Sequence, residues 1–494
     1  MPADDLPIVL DRLGQEPLAV QVADALRTAA GSGALRVGDR LSSTRALAAR
    51  LGVSRTVTAA AYDQLLAEGW LAGKRGSGTF ITAAPPTHRA RAHASAVDEA
   101  GVAYRCAEQR QAAAGDSAAA TMAPASARGS SADPSAEPEL TDLTAGRPCL
   151  DVLDRAAWRR AWRAAADRPP ARVIDYAGHP EFRRAVVDHL LRHRGLAARP
   201  DQLLATSGTT AGLDEIAATL PPGARVALEE PGYQRAAVTL EARGLRVVPA
   251  EMDSDGLRVD RLPSGLSAVY CTPAHQFPLG SRLSAGRRVA LVERARAEGF
   301  LVLEDDYDGE LRYDVAPLPL LAALDPDVVA YLGTSSKLLT PALGVGWLVA
   351  PPVLHARLLA ARQHAAIRPS PAGQLVFAAL AEYGDLARHL RRLRAELTER
   401  RQRVVEAIAG TGAPVLGDAA GGHLRVGLPS ARAEQAVIDG AARAGVLVPG
   451  LSEYHRGPAR VFGVSVGYAG PTRGELEPAV EVVAEMVRRA WAEC

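Results

Sequence analysis

Cysteine is scarce. The four in the chain, Cys106, Cys149, Cys271 and Cys494, lie far apart and form no CxxC pair. That spacing excludes a disulfide framework and a structural zinc site, and it points to a reducing compartment. An excess of either charge is also missing. With 57 Lys and Arg against 56 Asp and Glu, the net charge is +1. Nothing therefore draws the whole molecule toward nucleic acid or a membrane surface, and any basic surface has to be local. No apolar run reaches the roughly 20 residues that cross a bilayer. The first residues carry Asp4 and Asp5 and no apolar core, so a secretory signal is not expected there. A cytoplasmic protein without a membrane partner is the expectation. Its 494 residues exceed one ordinary core, which predicts two or three domains.

One stretch is poor in almost everything that folds. Ala83–Glu139 is dominated by Ala, Ser, Arg, Glu and Pro, with Tyr104 its single aromatic residue. Such a segment buries too little apolar surface to order itself, and it is predicted to be a flexible tether with short helical stretches allowed within Val97–Ala120. Its 57 residues would span roughly 40 Å on flexible-chain statistics. The tether at 83–139 sets off a small domain, residues 1–82, from a large one at 140–384 and a smaller C-terminal subdomain at 385–494.

In the small domain, Leu18, Val22, Ala25 and Leu26 form a helical stripe within Pro17–Ser32. Ser42–Leu51 predicts a second helix stopped by Gly52. Ser54 is placed to cap a third, with Val57, Ala61 and Leu65 on one face and Gly69 at its end. Strands at Leu71–Gly73 and Thr79–Thr82 follow, joined by the basic, glycine-rich loop Lys74-Arg75-Gly76-Ser77-Gly78. Helix, turn, helix and basic hairpin outline a winged helix-turn-helix. From Arg36 to Arg75 there are seven basic residues against three acidic ones. Arg45 and Arg55 open the second and third helices, where side chains reach bases and phosphates. The same pattern also fits a solvated helical bundle whose arginines are surface charge.

The large domain alternates strand-like runs, at Arg225–Leu228, Arg246–Pro249, Ala268–Cys271, Leu301–Glu304 and Val328–Leu332, with helices at Gln234–Arg243 and Ala285–Glu298. That alternation predicts an α/β domain with a mainly parallel sheet, whose ligand sites collect beyond the carboxyl ends of the strands. Lys337 follows one such strand in the small, hydroxyl-rich loop Gly333–Pro341. An amine held there against apolar walls can lose its proton and attack a carbonyl; taken alone, Lys337 reads as a surface loop lysine, and only the residues that follow favour the chemical reading. Asp305 and Tyr307 end another strand. An aspartate beneath a pyridine ring keeps the ring nitrogen protonated, and a tyrosine two residues on reaches the ring oxygen. Glu304-Asp305-Asp306 also admits a divalent-metal reading, which no further ligand spacing supports. Ser207-Gly208-Thr209-Thr210 opens a helix and offers free N–H groups and hydroxyls to a phosphate. Tyr233, in Glu230-Pro231-Gly232-Tyr233, is placed to cover a ring or simply to pack in a turn. His275 and Gln276 follow a further strand end. Lysine, aspartate with tyrosine, phosphate seat and stacking aromatic together make a site for pyridoxal 5'-phosphate (PLP).

Both halves carry family signatures. GDRLSSTRALAARLGVSRTVTAAAYDQLLAEGWLAGKRGSGTFIT resembles the DNA-binding domain of the GntR family of bacterial regulators, with serine where that family often has proline at Ser42 or Ser43. YAGHPEFRRAVVDHLLRHRG, TSGTTAGLDEI, LEEPGY, TPAHQFPLG, LEDDYDGELRY, YLGTSSKLLTPALGVGW and HLRRLRAELTERR resemble, in order, the aminotransferase-like domain of MocR-type regulators. Those proteins join a GntR-type winged helix to a fold-type I PLP-dependent transferase-like domain with a smaller α+β subdomain. The resemblance implies DNA contacts from Arg45, Ser54, Arg55, Thr56, Lys74 and Arg75. It implies Lys337 as the Schiff-base lysine, Asp305 at the ring nitrogen, Tyr307 at the ring oxygen, Tyr233 stacking and His275 nearby. Ser207, Gly208, Thr209, Thr334 and Ser336 would surround the phosphate.

Two departures from the family pattern bear on function. Gly344 stands seven residues after the lysine, where the family usually has a phosphate-gripping arginine; Arg368 is a candidate replacement. The C-terminal strand Val461–Gly467 carries Ser465 in its interior and Arg460 at its head, in place of the arginine that anchors substrate carboxylates in aminotransferases. The expectation is a homodimeric, PLP-responsive transcription regulator that binds operator DNA and senses PLP or an amino compound, with at most weak transaminase activity. A working aminotransferase with a DNA-binding head is the alternative. The arginines of the helix Asp385–Ala409 are balanced by Glu396 and Glu399 and predict a solvated face, not a second nucleic-acid site.

Overall fold

Two apolar patterns build two different cores. The computed structural model describes residues 8, 10–12, 18–31, 35, 39–67, 70–74, 78–81, 140–169, 172–313 and 319–492; the tether segment 83–139 lies outside them. No helix among them is long and apolar enough to cross a membrane.

In the N-terminal part, helix α1 (Leu18–Gly31), strand β1 (Arg40–Leu41), helices α2 (Thr44–Leu51) and α3 (Arg55–Ala67), and strands β2 (Leu71–Lys74) and β3 (Gly78–Ile81) follow in order. Val22, Leu26, Leu47, Ala61, Tyr62, Leu65, Leu71 and Ile81 close one core. Ser43 caps α2 by accepting from the Ala46 N–H, and Gly52 ends it with φ +60°, a left-handed turn that glycine adopts without strain. The three strands form an antiparallel sheet in the order β1-β3-β2. This is a winged helix-turn-helix.

The larger part opens with β4 (Thr141–Asp142), α4 (Arg155–Ala166) and α5 (Pro180–Arg194), then builds its sheet. The chain continues through β5 (Leu203–Thr206), α6 (Thr209–Ala217), β6 (Arg225–Glu230), α7 (Gln234–Ala242), β7 (Arg246–Asp253), β8 (Gly256–Leu257) and β9 (Ala268–Cys271). Next come α8 (Ala285–Glu298), β10 (Leu301–Asp306), α9 (Leu321–Leu324), β11 (Val329–Thr334), β12 (Gly346–Val349), α10 (Pro352–His364) and α11 (Pro371–Glu382). The sheet order is β5-β12-β11-β10-β9-β6-β7-β8. Strands β11, β10, β9, β6 and β7 are parallel, while β12 runs antiparallel to both β11 and β5. Alternate residues enter separate cores on the two faces. Leu204, Leu228, Tyr270, Leu303, Leu332 and Leu348 pack on one side, and Ala205, Ala227, Val269, Val302, Tyr331 and Trp347 on the other.

The long α12 (Asp385–Ala409) leads into β13 (Val415–Leu416), β14 (His423–Gly427), α13 (Ala431–Arg443), β15 (Val446–Leu447), β16 (Gly463–Gly467) and α14 (Arg473–Ala492). β13, β14 and β16 form an antiparallel sheet. β15 pairs with β4, so the chain segment that opens the larger part is also bound to its C-terminal end.

Candidate functional site

Parallel strands deliver their C-terminal ends to one edge of the sheet, and a cavity of about 740 Å³ lies there. Strand β10 ends at Asp306, and alternation along it sends its three carboxylates to different partners. Glu304 accepts the N–H groups of Leu321 and Ala322 at 2.8 and 2.9 Å. Asp306 is paired with the buried Arg194 at 2.6 Å. Only Asp305 faces the cavity, so the metal reading of the three acids has no common ligand point. Asp305 Oδ2 accepts the Tyr270 hydroxyl at 2.5 Å, whereas Oδ1 has no hydrogen-bond partner among the described residues. Burial pushes this carboxyl up to about 7, against the pull of the Tyr270 and Thr209 hydroxyls.

Strand β11 ends at Thr334 and the chain turns through Ser335 to Lys337, which lines the same cavity. The Lys337 Nζ donates to the Gly146 carbonyl oxygen at 2.5 Å. Burial pushes its amine below the ordinary lysine value, opposed by Asp308 and Asp305. A shift in that direction enlarges the neutral, nucleophilic fraction. Thr334 Oγ1 and Ser336 Oγ are 2.9 Å apart beside the lysine.

The third wall is the start of α6. Gly208 caps it with φ +147°, a conformation other residues rarely adopt, and a Cβ on the facing Gly346 would come within 2.7 Å of Gly208 Cα. Small residues on both sides bring the helix start close to the lysine loop, where the first backbone N–H groups of α6 are free for an anion. Ser207, Gly208, Thr209 and Thr210 all line the cavity. Tyr233, at the start of α7, lines it too, with Phe277 edge-on at 5.8 Å.

The structure thus brings together Lys337, Asp305, Tyr307, Tyr233, Ser207, Gly208, Thr209, Thr334 and Ser336 around one cavity. His275 stands apart from its wall. The ring lies behind Tyr307 at 6.2 Å, with Nδ1 2.8 Å from Asp308, and the Tyr307 hydroxyl donates to the His275 carbonyl at 3.0 Å. Arg368 is exposed, bonds the Tyr176 hydroxyl at 3.0 Å and does not line the cavity. Gly344, also exposed, takes φ +61° as it closes a short helical turn, which favours glycine there over the family's arginine. Among the described residues lining the cavity, Lys337 is the single cation. Sequence reasoning missed Tyr270, Phe277 and the Ala145–Gly146 loop. Tyr270 carried a usable signal, since it lies next to the end of the apolar strand beside the one holding Asp305.

The residues fit PLP. An amine of lowered basicity, an unpartnered carboxylate oxygen, a hydroxyl-rich helix start and an aromatic side chain surround one space of suitable size.

In the N-terminal part, Arg45 lies in the first turn of α2, and Ser54, Arg55 and Thr56 cluster at the start of α3; all four are exposed. Ser54 Oγ accepts the Val57 N–H at 3.4 Å. The Thr58 hydroxyl donates to the Thr44 carbonyl at 2.8 Å, and the Tyr62 hydroxyl to the Ser42 carbonyl at 2.7 Å. These bonds tie the two helix starts together. Lys74 closes β2; Arg75 lies outside the described residues.

The fold and site together define a DNA-binding winged helix fused to an aminotransferase-like domain. The aminotransferase class I and II family pattern matches residues 138–483, and that of the bacterial regulatory proteins, gntR family, matches 18–81. The chain is 34% identical over 467 residues to the HTH-type pyridoxine biosynthesis transcriptional regulator PdxR of Corynebacterium glutamicum, covering 94% of each chain. It is 31% identical over 412 residues to the probable rhizopine catabolism regulatory protein MocR of Rhizobium meliloti, covering 81% of this chain and 79% of that one. Among solved structures, an archaeal alanine:glyoxylate aminotransferase superposes with a TM-score of 0.66 at 23% identity, covering 71% of this chain and 91% of that one. The chain belongs to the MocR-type transcription regulators, in which a GntR-family head is joined to an aminotransferase class I and II domain. Proteins of the aminotransferase class generally use PLP.

Proposed function

We propose that this regulator holds PLP through Lys337, binds operator DNA through its winged helix as a homodimer, and changes its hold on DNA when PLP or an amino compound occupies the cavity. One observation carries the reading: Lys337 and the Asp305 carboxylate line a single cavity closed by a helix start. PLP, when bound, supplies a reactive aldehyde and an electron-withdrawing ring. The protein's part is to hold it. Asp305 would keep the ring nitrogen protonated, Tyr307 and Tyr233 would confine the ring, and Ser207, Gly208, Thr209, Thr334 and Ser336 would hold the phosphate through neutral donors.

Arg45, Ser54, Arg55 and Thr56 would enter or border the DNA groove, with Lys74 and Arg75 at the wing. Ligand and DNA are coupled only if two states of the protein differ in affinity for each. The printed name of the Corynebacterium glutamicum relative supports PLP itself as the signal. Ser465 stands in the interior of β16, where aminotransferases usually carry an arginine, and transaminase turnover is expected to be weak.

The test is an absorbance titration of the full chain with PLP, beside Lys337→Ala. A visible band that requires the lysine is expected; a band equally strong in the variant overturns the cofactor reading. Operator affinity that changes with PLP alone identifies PLP as the signal, and one that changes only with added amines identifies an amino compound.

A further inference from the structure

Three polar side chains with unsatisfied atoms share one face of the small C-terminal sheet. In β14, Leu424 and Val426 enter the core, which leaves His423 and Arg425 on the opposite face. In β16, Val464 and Val466 enter that core, and Ser465 lies directly across from Arg425. Paired residues of antiparallel strands present their side chains to the same side. Among the described residues, His423 Nε2, Arg425 Nε and Ser465 Oγ all lack a hydrogen-bond partner, and His423 and Ser465 are 1% and 0% exposed.

Arg425 differs from the buried arginines that are paired with carboxylates. Arg194 is paired with Asp306, Arg362 with Glu215, and Arg400 with Glu396 and Asp151. Arg425 has no ion pair among the described residues, and burial alone holds it below the ordinary arginine value. Arg425 is partly buried; a guanidinium partly withdrawn from water without a counter-charge is destabilised, and an incoming anion offsets that cost.

Arg425 and Ser465 are not among the residues lining the lysine's cavity, but their face adjoins it at two borders. A Cβ on Gly467 would meet the Thr144 carbonyl at 2.5 Å, so the segment 143–146 crosses this face. That segment continues to Gly146, whose carbonyl receives the Lys337 amine. At the other border, the His423 ring lies 5.5 Å from that of Phe277, a cavity wall.

We propose that Arg425, with Ser465 beside it, anchors the anionic head of a small effector: a primary amine bearing a carboxylate or sulfonate, its amine turned toward Lys337. The charge absent from β16 is supplied from the neighbouring strand. A guanidinium suits the task, because its paired N–H groups match two oxygens of such a head. This proposal rests on the reading of the large domain as a PLP-holding effector domain.

The experiment titrates the PLP-loaded full chain with β-alanine, with taurine and with propylamine, following the cofactor spectrum. In the wild type the acid-bearing amines should half-saturate at concentrations lower by on the order of 10- to 100-fold than propylamine. Preference between β-alanine and taurine separates carboxylate from sulfonate. In Arg425→Gln the ratio between acidic and neutral amines should fall toward one, and Arg425→Lys should restore part of it. A ratio of one in the wild type, or one that survives in Arg425→Gln, overturns the proposal while leaving the cofactor reading intact. Thermal unfolding of the PLP-free chain in β-alanine needs no chromophore. Stabilisation of the wild type that is lost in Arg425→Gln supports the anchor even if PLP does not bind; equal behaviour of the two proteins there counts against it.

Discussion

The Tyr270 hydroxyl donates to Oδ2 of Asp305 at 2.5 Å and leaves Oδ1 with no partner among the described residues. The Tyr270 bond occupies one oxygen of a carboxylate that lines the cavity. The bond also holds down the pKa of an acid that burial raises. Tyr270→Phe deletes the donor, so the carboxyl becomes still more readily protonated and a poorer partner for a protonated ring nitrogen. PLP affinity, measured by absorbance titration near neutral pH, should fall on the order of tenfold. Unchanged affinity would remove Tyr270 from the site's support.

The same burial predicts how stability varies with pH. Asp305, Glu229 and Glu304 are each pushed up to about 7, in each case first by burial. An acid whose folded pKa exceeds its unfolded value of about 4 binds protons more tightly when folded. Its contribution is therefore present below about pH 4 and lost as pH rises through about 7. Asp305→Asn removes one of these groups. Without PLP, the variant should melt a few degrees above the wild type at pH 8 and much closer to it at pH 5, while binding PLP more weakly. A wild type that is the more heat-stable at pH 8 would contradict the burial argument.

Much of this was legible before the fold was known. Strands such as Ala268–Cys271 are short apolar runs that end at chemistry-bearing residues, and Lys337, Asp305 and Tyr307 follow such runs directly. The limits were physical. Leu203–Thr206 and Gly346–Val349 are too short for periodicity to separate strand from buried helix, so the antiparallel β12 between β5 and β11 could not be seen. Strands β10 and β11 run two residues beyond their apolar runs, because Asp305, Asp306, Gly333 and Thr334 still pair in the sheet. The contact of Lys337 with Gly146 joins residues 191 apart, and no local pattern encodes it. His275 was expected at the cofactor, yet its pairing with Asp308 turns it behind Tyr307.

Gly344 offers a gain-of-function test. Its φ of +61° makes any side chain there strained, although a Cβ would meet nothing within 4 Å. Gly344→Arg should lower stability on the order of 1 kcal/mol. If its guanidinium reaches the phosphate seat, as the family's arginine does at this position, PLP should bind on the order of tenfold more tightly. Thermal unfolding and PLP titration read the two effects separately. Loss of stability with no gain in affinity would mean that the turn holds position 344 away from the phosphate.

The DNA-binding head yields a prediction that separates charge from geometry. Arg45 and Arg55 are exposed at the starts of α2 and α3. If Arg55 contacts a phosphate, Arg55→Ala should weaken binding to all sequences alike and reduce the salt slope by about one. A base-reading Arg55 would instead relax sequence preference at one position. Thr58 carries no charge, yet its hydroxyl spans from α3 to the Thr44 carbonyl at 2.8 Å and is fully buried. Thr58→Val keeps the shape and leaves that carbonyl short of a donor, at a cost of about 1–2 kcal/mol in stability. It should weaken DNA binding while preserving the salt slope, because the arginines remain and only the hold between their helices has changed. Titrations of DNA selected for tight binding, repeated at several salt concentrations, decide the matter. A reduced slope in Thr58→Val would show that the two helix starts had come apart and carried an arginine off the backbone.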